Sequence, residues 1–279
     1  MYTDIKKDGK NLFFQKNGVK LLKFNIFEQY NDVLVHCFTT RIGGVSTGEC
    51  ESLNLGFKRR DSRENVIENY KRVCSALGIN MEDLVLSDQV HDKKVKTVNE
   101  CDRGKGILKS SDIKGFDGLI TNKKNVALVT FYADCVPVFI FDAGKTAIGL
   151  AHSGWKGTLK EIAREIVEKM CVEYGSRPCD MKVVIGPSIG ECCFEVGDEV
   201  VEAFVTEIPW SKCFISKLNG EKNKIDLKSI VKTTLMNSGV KEENIEVSSI
   251  CTKCCKDLFF SYRGDEGKTG SLAAIMQLK

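Results

Sequence analysis

The chain has 279 residues, of which 42% are apolar and 28% are charged, an ordinary composition for a globular protein. Its 41 basic and 38 acidic residues give a formal net charge of only +3, so we expect no nucleic-acid partner. No apolar stretch reaches the roughly 18 residues that a membrane-spanning helix needs, so no membrane partner is expected either.

The N-terminal segment, residues 1–10, is polar and lacks the apolar core of a secretory signal. We therefore expect a cytoplasmic protein. In that compartment the 13 cysteines should be reduced thiols, and their odd number also argues against a complete disulfide framework. The basic run 58–60, with Arg63, is interrupted by Asp61 and Glu64, a pattern typical of a solvated surface loop.

Three helices are predicted from apolar residues at helical spacing, over residues 66–77, 159–174 and 227–235. Each is followed by a glycine that should end it: Gly78, Gly175 and Gly239. A short strand follows each helix, at residues 84–86, 183–185 and 245–247. Three more strands are predicted between the first two helices, at residues 126–131, 136–141 and 146–151, and a turn at 142–145 joins the last two.

This alternation predicts an α/β (α+β) sandwich, with a mixed β-sheet and packed helices, in one domain spanning residues 1–279. The first and third helix–strand units resemble each other. Both have a glycine after the helix and a serine after the strand, at Ser87 and Ser248. These similarities predict a weak internal duplication.

Histidine is the most informative residue type, because the chain has only three: His36, His91 and His152. His91 and His152 lie at the ends of predicted strands, where ligand sites of α/β sheets are found. Cys135 lies between two strands, and Pro137 predicts a break or bulge beside it. The spacing of these three side chains matches no metal motif, so structural roles remain open on this ground alone.

Eight short segments in a fixed order give more specific information. They are TTRIGGVS (39–46), DQVH (88–91), FDGLIT (116–121), ADC (133–135), HSGWKGT (152–158), GPSIG (186–190), CFEV (193–196) and FSYR (260–263). Over these segments the chain resembles the laccase-domain family, whose members are called polyphenol oxidases, purine nucleoside phosphorylases or peptidoglycan-editing factors. The resemblance extends from about residue 36 to the C-terminus.

The resemblance implies that His91, Cys135 and His152 bind one metal ion. Two imidazoles and a thiolate suit Zn²⁺, with Cu²⁺ as an alternative, and three protein ligands leave a fourth position open for catalysis. Cys251 and Cys254 have CxxC spacing and Cys255 follows, but the chain has no second CxxC pair. The sequence therefore argues against a second zinc site.

The resemblance also implies an enzyme that takes a purine nucleoside and phosphate as substrates. The expected reactions are phosphorolysis of adenosine, inosine and 5′-methylthioadenosine, and deamination of adenosine, for which zinc-activated water is suited. Asp134 is the candidate for proton transfer, with Asp117 and Glu195 as alternatives. Arg41, Lys156 and Arg263 are the candidate substrate contacts. A helix start near Gly157 and Thr158 is a further candidate seat for phosphate.

The chain departs from the family at three positions. Ser153 replaces a usual alanine, and Gly264 and Ser271 stand where arginines are usual. If those arginines bind substrate in other members, Arg41 and Arg263 become the stronger candidates here.

Three other functions are weighed against phosphorolysis. Cys135 and His152 could act as nucleophile and base of a cysteine hydrolase or amidase on cell-wall precursor peptides. Three histidines are too few for a multicopper oxidase, which leaves only a single-copper polyphenol oxidase. A zinc-stabilised binding module is the non-enzymatic alternative.

Overall fold

A computed structural model describes residues 3–8, 11–217 and 222–279. Six α-helices lie in this part of the chain: α1 (Asn25–Glu28), α2 (Arg63–Leu77), α3 (Trp155–Leu159), α4 (Ile162–Tyr174), α5 (Asp198–Glu207) and α6 (Leu227–Asn237). Its sixteen strands are β1 (Thr3–Asp8), β2 (Asn11–Lys16), β3 (Val19–Phe24), β4 (Leu34–Thr39), β5 (Leu84–Leu86), β6 (Val95–Thr97), β7 (Gly118–Thr121), β8 (Ala127–Tyr132), β9 (Val136–Asp142), β10 (Ala147–Ser153), β11 (Lys182–Ile185), β12 (Glu195–Val196), β13 (Ile215–Lys217), β14 (Asn223–Ile225), β15 (Ile245–Val247) and β16 (Leu272–Leu278).

The strands form two large sheets and one small one. The first large sheet has seven strands in the order β1-β2-β3-β4-β16-β8-β5, and the second has six in the order β15-β11-β9-β10-β7-β6. The pairs β5/β8, β6/β7 and β11/β15 are parallel, so both sheets are mixed. Strands β12, β14 and β13 form a small antiparallel sheet. The mixed sheets with packed helices confirm the predicted fold class.

The two large sheets pack face to face, and helices cover their outer faces. Side chains of both sheets, among them Phe38 and Phe139, share one apolar cluster between the sheets. Helices α4 and α6 pack on the outer face of the six-stranded sheet, and α2 packs on that of the seven-stranded sheet. Within β9, Val138 and Ile140 face the helices while Phe139 and Phe141 face the other sheet. Burial on both faces explains the uninterrupted apolar runs of these strands.

Two predicted helices, α2 and α6, are observed, and each has a side-chain cap at its start. The side chain of Ser62 caps α2 by accepting a hydrogen bond from the N–H of Asn65, and Gly78 ends it in the left-handed conformation. Asp226 caps α6 in the same way. No helix in the described ranges is long and apolar enough to cross a membrane. Strands β5 and β15 both lie at a sheet edge, parallel to their neighbours. The internal duplication stays a prediction.

The second predicted helix was wrong at its start. Instead of one helix from residue 159, the short helix α3 ends at Leu159, and α4 begins at Ile162. Glu161 between them has φ of +55°. This left-handed residue changes the chain direction, so that Ile162 and Ile166 can pack on the six-stranded sheet.

The predicted break at Pro137 was also misplaced. Pro137 lies within β9, opposite His152 of β10. Its carbonyl accepts the N–H of Gly186, beyond the last residue of β11, so its nitrogen also faces away from β10. No ladder bond to β10 is therefore lost. The irregular backbone lies earlier, at Asp134, whose φ is +89°.

Candidate metal centre

Strand pairing brings Cys135 and His152 together. Strands β9 and β10 are antiparallel, with Val136 opposite Ser153. The start of β9 therefore lies beside the end of β10, and Cys135 is the residue directly before β9. The Cys135 side chain is half-buried, and His152 is buried. The register of one hairpin thus accounts for two of the three predicted ligands.

The buried carboxylate of Asp117 brings His91 to the same place. Asp117 lies directly before β7, and its carbonyl accepts the backbone N–H of His152 at 2.8 Å. Its carboxylate accepts the backbone N–H groups of Val90, His91 and Asp92 at 3.0, 3.0 and 2.9 Å. It also contacts Nδ1 of His152 at 2.8 Å. These bonds hold the turn at His91, where φ is +62°, against the end of β10.

The ligand atoms of His91, Cys135 and His152 lie within 4.8 Å of one another. Sγ of Cys135 is 3.9 Å from Nε2 of His91. The two imidazole rings meet edge to face, with centroids 4.9 Å apart. A tetrahedral zinc ion with usual bond lengths separates a sulfur and a nitrogen ligand by about 3.6 Å. The three donors are therefore spaced suitably for one such ion.

Charge favours the metal-binding form of Cys135. Burial alone raises the pKa of this thiol, but the charge of His152 and hydrogen bonds from His152 and His91 outweigh burial and lower it to about 6. Burial lowers the pKa of His152, but the Cys135 thiolate and the Asp117 carboxylate raise it to about 9. The pair is therefore a thiolate and an imidazolium at neutral pH. Because Nδ1 of His152 contacts Asp117, Nε2 is the atom available to a metal.

Gly154 leaves space for the three candidate ligands. A Cβ atom at this position would lie 2.8 Å from Cδ2 of His91 and 3.1 Å from Sγ of Cys135. The backbone at Gly154, with φ of −69° and ψ of 171°, is open to any residue. Close packing against the ligands, and not backbone conformation, therefore requires glycine here.

The three residues form part of the wall of a cavity of about 760 Å³. Aromatic side chains line much of it: Phe57, Phe131, Tyr132, Trp155, Phe194 and Tyr262. Four cationic side chains also line it: Lys58, Arg59, Lys114 and Arg263. Its volume is within the usual range for sites that hold small organic ligands. Aromatic and cationic groups together suit a ligand with a flat ring system and a negative charge.

Two predicted site residues, Arg263 and Asp134, line this cavity, and a hydrogen bond joins them. One carboxylate oxygen of Asp134 accepts the N–H of Arg263 at 2.7 Å, and the other accepts the hydroxyl of Thr252 at 2.6 Å. Asp134 therefore helps to position Arg263, while its role in proton transfer stays a prediction. Of the two alternatives, Asp117 is engaged by His152 and the turn at His91, and Glu195 lines an adjacent pocket of about 250 Å³.

Two predicted substrate contacts, Arg41 and Lys156, are not among the cavity-lining residues. The guanidinium of Arg41 donates to the carbonyl groups of Glu51 and Lys256 at 2.9 and 3.0 Å, so it ties loops together. Lys156 is exposed, with Nζ 5.5 Å from the ring centre of Trp155. The helix start predicted near residues 157–158 was misplaced, because α3 begins at Trp155 and these residues lie inside it. The phosphate seat at this helix stays a prediction.

Arg59 is a cavity residue that the sequence pattern did not identify. The run 58–60 was expected to be solvated, yet Arg59 is half-buried and lines the cavity. Its Nε donates to Oγ of Ser271 at 2.8 Å. At position 271, where the resemblance leads us to expect an arginine, a guanidinium from another loop is bound instead. The alternating charges predict a solvated loop, but a charge pattern does not show which side chain of the loop turns toward the cavity.

Comparison with known proteins identifies the family. A family model described as multi-copper polyphenol oxidoreductase laccase matches residues 35–279. The chain belongs to this laccase-domain family. YlmD of Bacillus subtilis (strain 168), named a purine nucleoside phosphorylase, is 40% identical over 253 residues, which cover 90% of this chain and 91% of that protein. The resemblance inferred from the eight segments is thereby confirmed.

Solved structures of laccase-domain proteins share the fold. The Bacillus licheniformis hypothetical protein YfiH matches with a TM-score of 0.88 at 35% identity, over 95% of this chain and 98% of that one. YlmD from Geobacillus stearothermophilus matches with a TM-score of 0.87 at 32% identity, over 99% and 98% of the two chains. These likenesses agree with the mixed α/β architecture described above.

The histidines of this laccase-domain chain do not suit a multicopper cluster. Of its three histidines, His36 is fully buried in β4, where Nε2 accepts the N–H of Phe24 at 3.0 Å. Burial lowers the pKa of His36 to about 3, so the ring is neutral. Only two imidazoles remain for the site at Cys135. A trinuclear copper cluster built from imidazoles therefore has too few ligands.

Proposed function

We propose that the chain is a zinc-dependent purine nucleoside phosphorylase acting on adenosine, inosine and 5′-methylthioadenosine, with adenosine deaminase activity. The observation that carries the proposal is a three-donor His–Cys–His group in the wall of a cavity lined by aromatic and cationic side chains. The name of the B. subtilis relative supports it. The resemblance predicted the same function.

His91, Cys135 and His152 would hold the metal ion. The donor set fits zinc, because a thiolate and two imidazoles are common zinc ligands and the group contains three residues, which leaves a coordination position for water or substrate. When bound, zinc would supply a Lewis acid that polarises substrate groups or activates water. Asp117 orients His152 and the turn of His91, so the protein itself fixes the ligand geometry.

Arg59 and Arg263 are the proposed phosphate contacts. Both line the cavity. In the described part of the chain, the Arg59 side chain makes one hydrogen bond, through Nε to Ser271, which leaves its two terminal nitrogens available to phosphate. Arg263 donates from one terminal nitrogen to the carbonyl of Glu195. Paired N–H groups of guanidinium match two oxygens of a phosphate, which is why arginine suits this task.

The aromatic wall is the proposed seat of the purine. Tyr262 is 53% exposed, although large aromatic side chains are usually buried, and it lies next to Arg263 on the cavity wall. Trp155 and Phe131 are half-buried parts of the same wall. A purine can stack on such a surface without requiring a particular exocyclic group. This tolerance agrees with a substrate range that includes both adenosine and inosine.

In phosphorolysis, a phosphate oxygen forms a bond to C1′ of the ribose while the C1′–N9 bond breaks. The bond electrons pass to the purine, which takes up a proton. The two arginines would hold the phosphate and offset its charge, which favours its approach to C1′. Deamination would replace the C6 amino group by the oxygen of water and release ammonia. Both reactions need the purine to be held beside the metal group, which the aromatic cavity wall would do.

Product analysis tests the proposal directly. Purified protein with its metal content measured is incubated with adenosine, with and without phosphate. Adenine and ribose 1-phosphate, formed only with phosphate, are expected from phosphorolysis, and inosine is expected from deamination. Inosine and 5′-methylthioadenosine in place of adenosine test the substrate range. The proposal is overturned if metal-loaded protein yields neither base nor deaminated product.

A second candidate is supported by one observation. Cys135, His152 and Asp117 have the order of a nucleophile, a base and the carboxylate that orients the base. A cysteine hydrolase or amidase acting on cell-wall precursor peptides would use them in this way. Zinc binding and nucleophilic attack compete for the same thiolate. Under this alternative a chelator would spare activity on a peptide amide and an alkylating agent would abolish it.

A further inference from the structure

Four cysteines form a second group, separate from the His–Cys–His group. They come from two turns: Cys192 and Cys193 follow β11, and Cys251 and Cys254 follow β15. Their sulfur atoms all lie within 4.8 Å of one another. We refer to these four residues as the cysteine cluster. None of them lines the 760 Å³ cavity.

We propose that the cysteine cluster binds a second, structural zinc ion through four thiolates. Sγ of Cys254 is 3.7 Å from that of Cys192 and 3.4 Å from that of Cys193. Four sulfurs bonded tetrahedrally to zinc at about 2.3 Å are separated by about 3.8 Å. A disulfide requires about 2.05 Å. The observed separations therefore suit four donors around one ion and are too long for a covalent pair.

The surroundings of the cluster suit a negatively charged site. The backbone N–H of Gly190 donates to Sγ of Cys251 at 3.3 Å, and such bonds stabilise thiolate ligands. The buried ammonium of Lys228 donates to the carbonyls of Ser248 and Ile250, directly before Cys251. Burial lowers the pKa of Lys228, and the charges of Cys251 and Cys192 act against this. A buried cation thus lies within electrostatic reach of two of the four sulfurs.

Zinc is the ion that this donor set favours. Four thiolates in a tetrahedral arrangement select zinc or iron over hard cations such as magnesium and calcium. Four protein ligands also fill the coordination sphere, which is the pattern of a structural and not a catalytic site. A search for a second CxxC pair misses this cluster, because its other two ligands, Cys192 and Cys193, are adjacent in the sequence.

The ion would hold together the turn of Cys192 and Cys193 and the turn of Cys251 and Cys254, which support the cavity wall. The turns already meet through the N–H of Thr252, which donates to the carbonyl of Ser188 at 3.0 Å. The hydroxyl of Thr252 holds Asp134, the neighbour of Cys135. Ile189 and Phe194, on either side of the first turn, line the cavity. Binding at the cluster therefore stabilises the backbone that carries Cys135 and Arg263, without a contact to substrate.

Metal stoichiometry tests this inference independently of nucleoside chemistry. Protein purified under reducing conditions should contain two zinc ions per chain by native mass spectrometry and elemental analysis. Cys254→Ser should reduce this to one and lower the melting temperature by ~10 °C or more. Cys101→Ser, which changes an exposed cysteine outside both groups, should keep two. His91→Ala should lose the other ion and keep that of the cluster.

A measurement on the unaltered protein covers the case in which Cys254→Ser does not fold. Alkylation of the native chain followed by peptide mapping should find the four cluster cysteines protected until a strong chelator is added, while Cys101 and Cys213 react at once. One zinc per chain, unchanged in Cys254→Ser, would overturn the inference. A disulfide within the cluster in the reduced protein, or iron in place of zinc, would also overturn it.

Discussion

The His–Cys–His group and the cysteine cluster both contain cysteine, but they differ in what surrounds them. The first has three donors, two of them imidazoles, and opens into a cavity of about 760 Å³. The second has four thiols and lies outside that cavity wall. Three donors beside a cavity suit chemistry, whereas four donors away from it suit structural support. The number of ligands and the access to a cavity, not the presence of cysteine, separate the two roles.

Replacing Cys135 by alanine should have the largest effect. It removes the only thiolate of the first group, so we expect loss of one metal ion per chain and at least about a 1,000-fold loss of phosphorolysis. Metal analysis and product formation from adenosine measure the two effects. Cys213→Ala, an exposed cysteine outside both groups, is the matched control and should change neither. If Cys135→Ala keeps both the metal ion and the activity, the first group does not have the catalytic role that distinguishes it from the cysteine cluster.

Gly154→Ala should damage the first group and spare the second. The added methyl would press on His91 and Cys135, at 2.8 and 3.1 Å, so the ligands must shift. We expect about a 100-fold loss of kcat/KM, the usual result of a displacement near 1 Å at a reacting centre. Gly144→Ala, in the turn between β9 and β10, is the control. If Gly154→Ala has the wild-type kcat/KM, activity does not require His91 and Cys135 to keep their present positions.

Asp117→Asn should weaken metal binding at the first group by about 10- to 100-fold. The amide cannot supply the charge that holds the imidazole of His152 and the backbone of the His91 turn. Competition with a chelator measures the affinity. The exposed Asp112→Asn serves as the control and should leave it unchanged. Equal affinities in Asp117→Asn and the native chain would exclude the positioning role.

Arg59→Ala should raise the KM for phosphate by about tenfold or more, because it removes a charge-assisted contact. The KM for the nucleoside should change much less, since the proposed purine seat lies at Tyr262 and its aromatic neighbours. Initial rates at varied phosphate separate the two constants. Arg60→Ala is a close control, because the neighbouring arginine is exposed and does not line the cavity. If both variants show the same KM for phosphate, the phosphate contact is not Arg59.

Zinc affinity of the first group should increase with pH. Between pH 6 and 9, Cys135 is already a thiolate while His152 still carries the proton that a metal must displace, since their pKa values are about 6 and about 9. One proton is therefore released, and affinity should rise about tenfold per pH unit, then level off above pH 9. Calorimetry in buffers of different ionisation enthalpy measures it, with Cys254→Ser used so that one group is titrated. An affinity independent of pH over this range would contradict the thiolate–imidazolium pair.

Local features of the fold followed from the sequence. Apolar spacing and the glycines that follow marked α2 and α6, and apolar runs marked β5, β8, β9, β10, β11 and β15. These signals work because a helix or strand is specified by residues within a few turns of one another. The helix break at Glu161 was missed because the direction that the chain takes there is set by how α4 packs on the sheet, and not by residues nearby.

Groups of side chains from distant segments, in contrast, did not follow from the sequence. The eight ordered segments identified the family and pointed to His91, Cys135 and His152, but nothing in their spacing predicted that Asp117 would hold two of them. Arg59 was read as solvated, and Cys192 and Cys193 were not joined to Cys251 and Cys254. Each of these groupings depends on strand register and on the path of loops between residues as much as 212 positions apart, as for Arg59 and Ser271. The sequence by itself determined the elements and the family, and the tertiary structure decided which side chains meet, because contacts across the chain depend on packing.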